Sequence, residues 1–373
     1  MIERIHISGR QLVIAVTGGG SQAIADLLTV PGASASVLEA VVPYSLAALQ
    51  DWLGGSVDQA CSQRTARAMA MAAFERARQL VASSGHAGGA SDSDPHSLRG
   101  IGVTASLTST RSKHGPHRVH VGWQSANATV AYSVELAKGQ RTRAEEEAVA
   151  SQLALHAVAE ACGVTDDRPA NLSPSEPITR REKRAPSAWT ELLLNQRDHI
   201  LVGPPPPRLI FPGAFNPLHA GHRRMAQLAA TRLGQPITLE LSITNVDKPP
   251  LDFLEIDDRL RQLTEFPVTL TRAPTFVEKA AILPSSTFLV GADTLARIAD
   301  PAYYAESPER RDAAITTIAA HRSRFLVFGR ALDDRFITLA ELNLPAALRA
   351  LCEEVPETDF RDDASSTNIR TRP

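Results

Sequence analysis

The sequence predicts an α/β protein of two domains, and three observations support this fold class. The chain has 373 residues, whereas one hydrophobic core typically organises about 150, so two domains are expected. In its second half, strand patterns alternate with helix patterns, which is typical of a parallel sheet with crossover helices. Residues 166–207 combine prolines with charges and predict a linker with a short helix. We therefore expect domains at residues 1–165 and 208–373.

The bulk composition excludes several classes of protein. The chain has 43% hydrophobic and 21% charged residues, and it has no apolar run near the roughly 18 residues of a membrane span. We therefore expect a globular protein that does not associate with membranes. A net charge of -2 provides no broad positive field for nucleic acid. Cys61, Cys162 and Cys352 are too few and too scattered for a disulfide framework or a thiolate metal site. Residues 1–20 lack the layout of a signal peptide, so a cytoplasmic location is expected.

The first domain begins with a strand, a glycine run and a helix. The stretch QLVIAVT at residues 11–17 predicts the strand, and the helix pattern starts after Ser21. Such a turn presents backbone amides to an anion, although glycines there are also the plainest way to reverse a chain. VLEAVVPYS, GIGVTASL, HRVHVGWQ and ATVAYSVEL complete a mixed α/β layout. Residues 81–100, rich in Gly, Ser and Asp, predict a surface loop.

The second domain begins near Arg208, after four prolines that exclude a helix or a central strand. Its strand patterns are RLIFPGAF, ITLELSIT, VTLTRA, STFLVGAD and SRFLVFGR. The helix patterns between them are AGHRRMAQLAATRL, EIDDRLRQLTEF, FVEKAAIL and RRDAAITTIAAHR. In a parallel sheet of this kind, ligands bind at the carboxyl ends of the strands.

Two histidines follow the first of these strands. His219 and His222 begin the next helix, where unpaired backbone amides and the helix dipole favour anions. A spacing of three residues puts both imidazoles on one side of the first turn. Gly221 has no Cβ, so a phosphate can approach the backbone closely. Two histidines at this spacing are by themselves more often ordinary surface residues, but the Gly-Ala-Phe-Asn-Pro turn before them favours a phosphate site.

The string GAFNPLHAGH resembles the first signature of the nucleotidylyltransferase superfamily, the His-x-Gly-His adenylyl- and cytidylyltransferases. SSTNIR, at residues 365–370, resembles the second signature, and FLVGADTLARI resembles the Gly-x-Asp strand end of the nicotinate and nicotinamide mononucleotide adenylyltransferases. The resemblance implies a Rossmann-like domain with a parallel sheet. It also implies transfer of a nucleoside monophosphate from a triphosphate to a phosphate-bearing acceptor, with pyrophosphate leaving.

The resemblance implies roles for the signature residues. His219 and His222 would hydrogen-bond the triphosphate, with His222 nearest the transferring phosphoryl group, and Arg370 would add a fixed charge, so these three are the expected catalytic residues. The expected ATP-binding residues are the other signature members: Gly213, Ala214, Phe215, Gly221, Ser365, Ser366 and Thr367. Mg²⁺ is expected to enter with ATP, bound largely by phosphate oxygens and water rather than by a protein metal site.

Three residues are expected to bind the acceptor. Asn216 belongs to the first signature, and Lys248 follows the second strand, where the family commonly places a basic residue near the acceptor phosphate. Asp293, at the end of a later strand, could meet a ribose hydroxyl. The alternatives are a solvated loop lysine for Lys248 and helix capping for Asp293.

The first domain resembles the CinA C-terminal domain, the family of nicotinamide-nucleotide amidohydrolases, through its glycine run and the stretches VPGAS and VPYS. A second nucleotide site is therefore a possibility, formed by residues of this turn and loop: Thr17, Gly18, Gly19, Gly20, Ser21 and Tyr44. However, Ala15 stands where the family has its hydrolytic serine, and Leu49 where it has a lysine. Amide hydrolysis needs a nucleophile, so we expect a non-hydrolytic domain that joins subunits of a homo-oligomer.

The leading hypothesis is an adenylyltransferase that joins ATP to nicotinamide or nicotinate mononucleotide in NAD metabolism. Within enzymes, the alternatives are phosphopantetheine as the acceptor and CTP as the donor. The alternative from another class is a nucleotide-sensing or scaffold protein without turnover, which the intact His219, His222 and Arg370 disfavour.

Overall fold

The computed structural model describes residues 1–84, 94–110, 114–165, 172–203, 208–332 and 335–361. The chain forms two compact units. Unit 1 comprises Met1–Leu194 and Asp247–Ile256, and unit 2 comprises Asn195–Val246 and Asp257–Pro373. Within the described ranges, no helix has both the length and the apolar character needed to cross a membrane.

Unit 1 contains a six-stranded mixed sheet. Its strands are β1 (Gln11–Thr17), β2 (Val37–Val41), β3 (Leu98–Ser106), β4 (His117–Gln124), β5 (Ala128–Leu136) and β6 (Thr179–Arg184). They lie in the order β2-β1-β3-β4-β5-β6, with β1 parallel to β2 and β3 and the remaining neighbours antiparallel. The bounds of β4 and β5 coincide with the predicted HRVHVGWQ and ATVAYSVEL, because strongly β-forming residues fill both strands.

Seven helices accompany this sheet in the described part of unit 1 before residue 195. They are α1 (Ile2–His6), α2 (Gln22–Thr29), α3 (Ala33–Ser36), α4 (Leu46–Trp52), α5 (Gln63–Ser84), α6 (Arg143–Ala161) and α7 (Ser187–Leu193). Glycines on the sheet let α5 approach it closely: a Cβ at Gly122 would stand 2.9 Å from the Ala66 carbonyl oxygen. The other face of the sheet packs on α6, whose buried residues include Val149, Leu153 and Val158.

Two segments predicted to be irregular contain regular structure. In the predicted loop 81–100, residues 81–84 end α5 and 98–100 begin β3, while 85–93 lie outside the described residues. In the predicted linker 166–207, α7 is the expected short helix, but residues 179–184 form β6 and residues 199–202 form a further strand. β6 is the edge strand TRREKR, and charged edge strands protect a sheet from aggregation while resembling a linker in composition.

The segment Asp247–Ile256 is part of unit 1 although Asn195–Val246 of unit 2 separates it from the first segment of unit 1. Arg67 of α5 forms a buried ion pair with Asp252, at 2.7 Å between Nη1 and Oδ1 and with side chains 5% and 7% exposed. The backbone N–H of Phe253 donates to Thr129 Oγ1 at 3.0 Å, and the Phe253 side chain is fully buried. Unit 1 is therefore discontinuous in sequence.

Unit 2 contains a seven-stranded sheet and a small hairpin. Its strands are β7 (His199–Val202), β8 (Leu209–Pro212), β9 (Ile237–Ser242), β10 (Val268–Thr271), β11 (Thr287–Gly291), β12 (Arg324–Phe328), β13 (Arg330–Leu332), β14 (Arg335–Ile337) and β15 (Cys352–Val355). The sheet order is β15-β12-β11-β8-β9-β10-β7, and β13 pairs with β14. All neighbours in the sheet are parallel except β7 and β10, so the predicted parallel sheet is confirmed with one antiparallel edge strand.

The helices that follow β7 are α8 (Ala220–Leu233), α9 (Phe253–Leu260), α10 (Phe276–Ile282), α11 (Ala292–Ala299), α12 (Pro308–Ala320) and α13 (Ala346–Arg349). The division between the units falls within α9. α8 has the predicted bounds and ends at Gly234, whose φ of 60° is a left-handed cap. α9 ends six residues earlier than EIDDRLRQLTEF predicts. Pro267 disfavours helical geometry at Phe266, so the pattern could not continue to its end.

Candidate active site

The candidate site lies where β8 ends. β8 is the central strand of the unit 2 sheet, between β9 and β11, and its last residue Pro212 is in register with Glu240 of β9. The backbone N–H of Gly213 donates to the Glu240 carbonyl at 3.0 Å, so the sheet ladder holds the start of the turn that leads to α8. The carboxyl end of a central strand is where parallel sheets bind ligands.

Phe215 shapes this turn. Its backbone is left-handed, with φ of 44°, and its side chain is 2% exposed. A Cβ at Gly213 would stand 2.6 Å from the Phe215 ring, so only glycine fits there. The Phe211 ring meets the Phe215 ring edge-on, with centroids 5.3 Å apart. The Asn216–Pro217 peptide bond that follows is cis. The absence of a side chain at Gly213 therefore leaves the space that the Phe215 ring occupies.

The turn brings His219 and His222 together. His219 is the N-cap of α8, and the two imidazoles stack with centroids 3.7 Å apart and an interplanar angle of 27°. The backbone N–H of His219 donates to Nδ1 of His222 at 3.3 Å. The Phe211 and Phe215 rings meet the His222 ring edge-on, with centroids at 5.9 and 5.3 Å. Both histidines thus face one side of the first helical turn, as their spacing predicts.

His222 is neutral at ordinary pH. Its pKa is lowered to about 3, mainly by burial and in smaller part by the electrostatic effects of His219, Arg330 and Arg223. Because Nδ1 accepts a hydrogen bond from the backbone, the ring proton of the neutral form is assigned to Nε2. His222 can therefore donate one hydrogen bond to an anionic oxygen from Nε2 without carrying a charge.

Two arginines near the site were missed by the sequence analysis. Arg330 follows β12 after Gly329, and its charge acts on the His222 ring. Arg259, 7% exposed in the last turn of α9, donates from Nη1 to the Ala214 carbonyl at 3.2 Å. The only signal for Arg330 is its position at the end of the predicted strand SRFLVFGR. Nothing in the sequence pattern distinguishes Arg259 from Arg261, the other arginine of the predicted helix EIDDRLRQLTEF.

The remaining predicted residues of unit 2 lie near the same edge of the sheet or outside the described residues. Gly221 is buried in the first turn of α8, and Asp293 lies in the first turn of α11. A side chain at Gly291 would collide with the Asp293 carboxylate, which folds back over the end of β11. The second-signature residues Ser365, Ser366, Thr367 and Arg370 lie outside the described residues.

Lys248 and the two histidines belong to different units. Lys248 belongs to unit 1, where its side chain is exposed and its Nζ donates to the Ser56 carbonyl at 3.3 Å. His219 and His222 belong to unit 2. The sequence placed Lys248 by its position after β9, but that position cannot show which unit the loop packs on.

A buried ion pair lies next to the start of the turn. Lys279 of α10 donates from Nζ to both carboxylate oxygens of Glu240 at 2.8 Å and to the Ala273 carbonyl at 2.7 Å. The Thr271 hydroxyl donates to the same carboxylate. The side chains of Glu240 and Lys279 are 1% and 6% exposed, so both charges are satisfied by each other and by neighbouring polar groups.

In unit 1, the glycine turn that was expected to bind an anion already holds a carboxylate. Glu147 of α6 accepts at Oε1 from the backbone N–H of Gly20 at 2.9 Å, from that of Gln22 at 3.4 Å and from the Ser21 hydroxyl at 3.0 Å. Gly18, with φ of 78°, accepts at its carbonyl from Arg143 at 2.9 Å. Thr17, Gly19 and Gly20 are buried and Gly18 is half-buried, so this turn is filled by the protein itself.

The two positions at which the CinA resemblance leads us to expect a serine and a lysine belong to an apolar cluster. Ala15 and Leu49 are 0% and 1% exposed, and they belong to one hydrophobic cluster with Leu53 and Met69. Both residues are therefore part of the core of unit 1. Tyr44, from the loop after β2, is 68% exposed.

A separate cavity of about 390 Å³ lies in unit 2, lined by the end of α11 and by residues 342–344, with Asp300 and Arg311 as its charged residues. None of the predicted site residues lines it. Across the described ranges, no group of three or more His, Cys, Asp or Glu side chains is arranged to hold a metal ion.

Comparisons with known proteins find different similarities for the two parts of the chain. Residues 210–372 match the model of the cytidylyltransferase-like family, and residues 2–114 match that of the CinA C-terminal domain. The chain is therefore similar to nucleotidyltransferases in its C-terminal part, which supports this class of activity, and to CinA proteins in its N-terminal part. The two resemblances stated from the sequence motifs are thus confirmed at the level of the family.

Among solved structures, the chain is similar to the competence/damage inducible protein CihA from Agrobacterium tumefaciens. The sequences are 22% identical, the match covers 43% of this chain and 90% of that chain, and the TM-score is 0.34. A search among curated proteins finds no match.

Proposed function

We propose that residues 208–373 transfer AMP from ATP to nicotinamide or nicotinate mononucleotide, with release of pyrophosphate. The observation that carries this proposal is the pair of stacked imidazoles at the start of α8, directly after the central strand of a parallel sheet. The cytidylyltransferase-like match to residues 210–372 supports the reaction class. The resemblance of FLVGADTLARI to the mononucleotide adenylyltransferases supports the acceptor.

The reaction needs no covalent intermediate, so the chain acts by positioning and by stabilising charge. In the transition state, negative charge grows on the oxygens of the α-phosphate and of the leaving pyrophosphate. His222 donates from Nε2 to a non-bridging oxygen, and His219 and the amides at the start of α8 bind the outer phosphates. Arg330, whose charge acts on the His222 ring, supplies positive charge to the site. Arg370, together with Ser365, Ser366 and Thr367, would complete the phosphate contacts.

A neutral His222 suits this role. A neutral donor fixed in place gains interaction energy as the oxygen that it meets becomes more negative in the transition state. The backbone N–H that holds Nδ1 also fixes the ring orientation, so the donor needs no rearrangement during the reaction.

Mg²⁺ is proposed to enter with the nucleotide. The charges that act on His222 come from an imidazole and guanidinium groups, and the nearby Glu240 carboxylate is already paired with Lys279, so phosphate oxygens and water would hold the ion. When bound, it would neutralise charge on the β- and γ-phosphates. The protein residues would then orient the triphosphate, and Asn216 and Asp293 would contact the acceptor.

A second candidate is a CTP-dependent transfer, which the description of the matching family model favours. The test is release of pyrophosphate by the purified full-length protein with Mg²⁺, with ATP or CTP, and with each acceptor in turn. We expect ATP with nicotinamide or nicotinate mononucleotide to be fastest. Faster reaction with CTP or with phosphopantetheine would assign the protein to another branch, and no release with any pair would leave nucleotide sensing as its role.

For unit 1 we propose a non-hydrolytic role. The Ala15 and Leu49 cluster supports the absence of a nucleophile and of a neighbouring cation, and Glu147 occupies the turn that would meet a phosphate. The self-association expected through this part of the chain and the cytoplasmic location stay predictions.

A further inference from the structure

Arg259 connects a buried charge to the backbone of the candidate phosphate turn. Its guanidinium donates to the carbonyl of Ala214, the residue directly before Phe215, at 3.2 Å. Arg259 is 7% exposed, so the contact is shielded from water. A hydrogen bond from a charged donor in such surroundings is stronger than one between neutral groups.

The turn needs such a contact because of its backbone conformation. Phe215 has φ of 44°, and a left-handed conformation is strained for a residue with a side chain. The Ala214 carbonyl belongs to the peptide plane whose rotation sets this φ. The hydrogen bond from Arg259 therefore opposes the rotation that would relieve this strain.

Phe215 in turn bounds the His222 ring. The two rings meet edge-on with centroids 5.3 Å apart, while His219 stacks on His222 at 3.7 Å. Because Phe215 is 2% exposed, any rotation of its backbone that moves the ring would open a path for water to His222. Contacts thus connect Arg259 to His222 through Ala214 and Phe215.

We propose that Arg259 is a positioning residue that fixes Phe215 in its left-handed conformation and thereby sets the orientation and burial of His222. It acts through the turn and contacts no substrate. The effect on turnover rests on the proposed function of His222, whereas the effect on the His222 ring does not.

The test is Arg259→Met in the full-length protein, with two measurements. Pyrophosphate release should fall about tenfold or more, because a displacement of about 1 Å in a reacting group has effects of this size. NMR of the histidine ring C–H groups should show the pKa of His222 moving up from about 3 towards its ordinary value, since solvation removes the main cause of the depression. A role of Arg259 confined to the stability of α9 would leave the His222 titration unchanged.

Arg261→Met is the matched control. Arg261 lies two residues further along, is 65% exposed and pairs with Asp257, so its loss removes the same charge without touching the turn. Wild-type turnover and wild-type His222 titration are expected in this variant.

An unchanged His222 titration in folded Arg259→Met would overturn the proposal, as would an equal shift in Arg261→Met. If Arg259→Met does not fold, Arg259→Gln is measured instead, and a smaller upward shift of the His222 pKa is expected. An unchanged His222 titration in Arg259→Gln, or an equal shift in Arg261→Met, would again overturn the proposal. If the wild-type protein shows no turnover, the proposed function fails while the titration still tests Arg259.

Discussion

The variant Lys279→Met tests how much the buried Lys279–Glu240 ion pair contributes to the stability of unit 2. The change removes the partner of Glu240, a carboxylate that is 1% exposed, and leaves it only the Thr271 hydroxyl. Breaking a buried pair in this way typically costs about 3–5 kcal/mol of unfolding free energy.

The measurement is urea unfolding followed by two probes. The three tryptophans of the chain, Trp52, Trp123 and Trp189, all belong to unit 1, so a transition seen by circular dichroism but not by tryptophan fluorescence belongs to unit 2. In the double variant with Glu240→Met, no charge remains buried, and we expect it to regain at least half of the lost stability. A loss below about 1 kcal/mol in Lys279→Met, or a double variant no more stable than the single one, would refute the reasoning.

Three further predictions concern both units. His222→Ala should lower pyrophosphate release by about 10² or more with little change in stability, while the exposed His199→Ala should match the wild type; near-normal release would remove His222 from the mechanism. Glu147→Gln weakens the hydrogen bonds from Gly20 and Ser21, so unit 1 should lose about 1–2 kcal/mol by tryptophan-monitored unfolding, and an unchanged midpoint would contradict the contact. The full-length protein should release no ammonia from nicotinamide mononucleotide; release that disappears in Ser21→Ala would mean that a serine nucleophile is present after all.

The sequence predicted the parts of the fold that depend on local patterns. α8 was predicted to the residue because good helix formers run from Ala220 to a glycine cap at Gly234. β4 and β5 were predicted for the same kind of reason. The pairing of His219 with His222 followed from their spacing on one helical turn.

Contacts distant in sequence were not predictable from such patterns. The depressed pKa of His222 depends on burial by Phe211 and Phe215 and on charges as far along the chain as Arg330. The carboxylate that fills the glycine turn comes from Glu147, which is separated from Gly20 by 127 positions. Local propensity carries no information about which side chain will meet a given turn, so these partners became visible only in the folded structure.

The discontinuity of unit 1 has a consequence for synthesis of the chain. Arg67 and Asp252 are 185 positions apart, so at roughly 5–20 residues per second the ribosome needs about 10–40 s to deliver the second after the first. During that interval the nascent unit 1 lacks both the counter-ion of Arg67 and the Phe253 side chain that is fully buried in the mature protein. Folding of unit 1 can therefore be completed only after its second segment, Asp247–Ile256, has been translated. An early release or a long pause before that point would leave a nascent chain with an unfilled core.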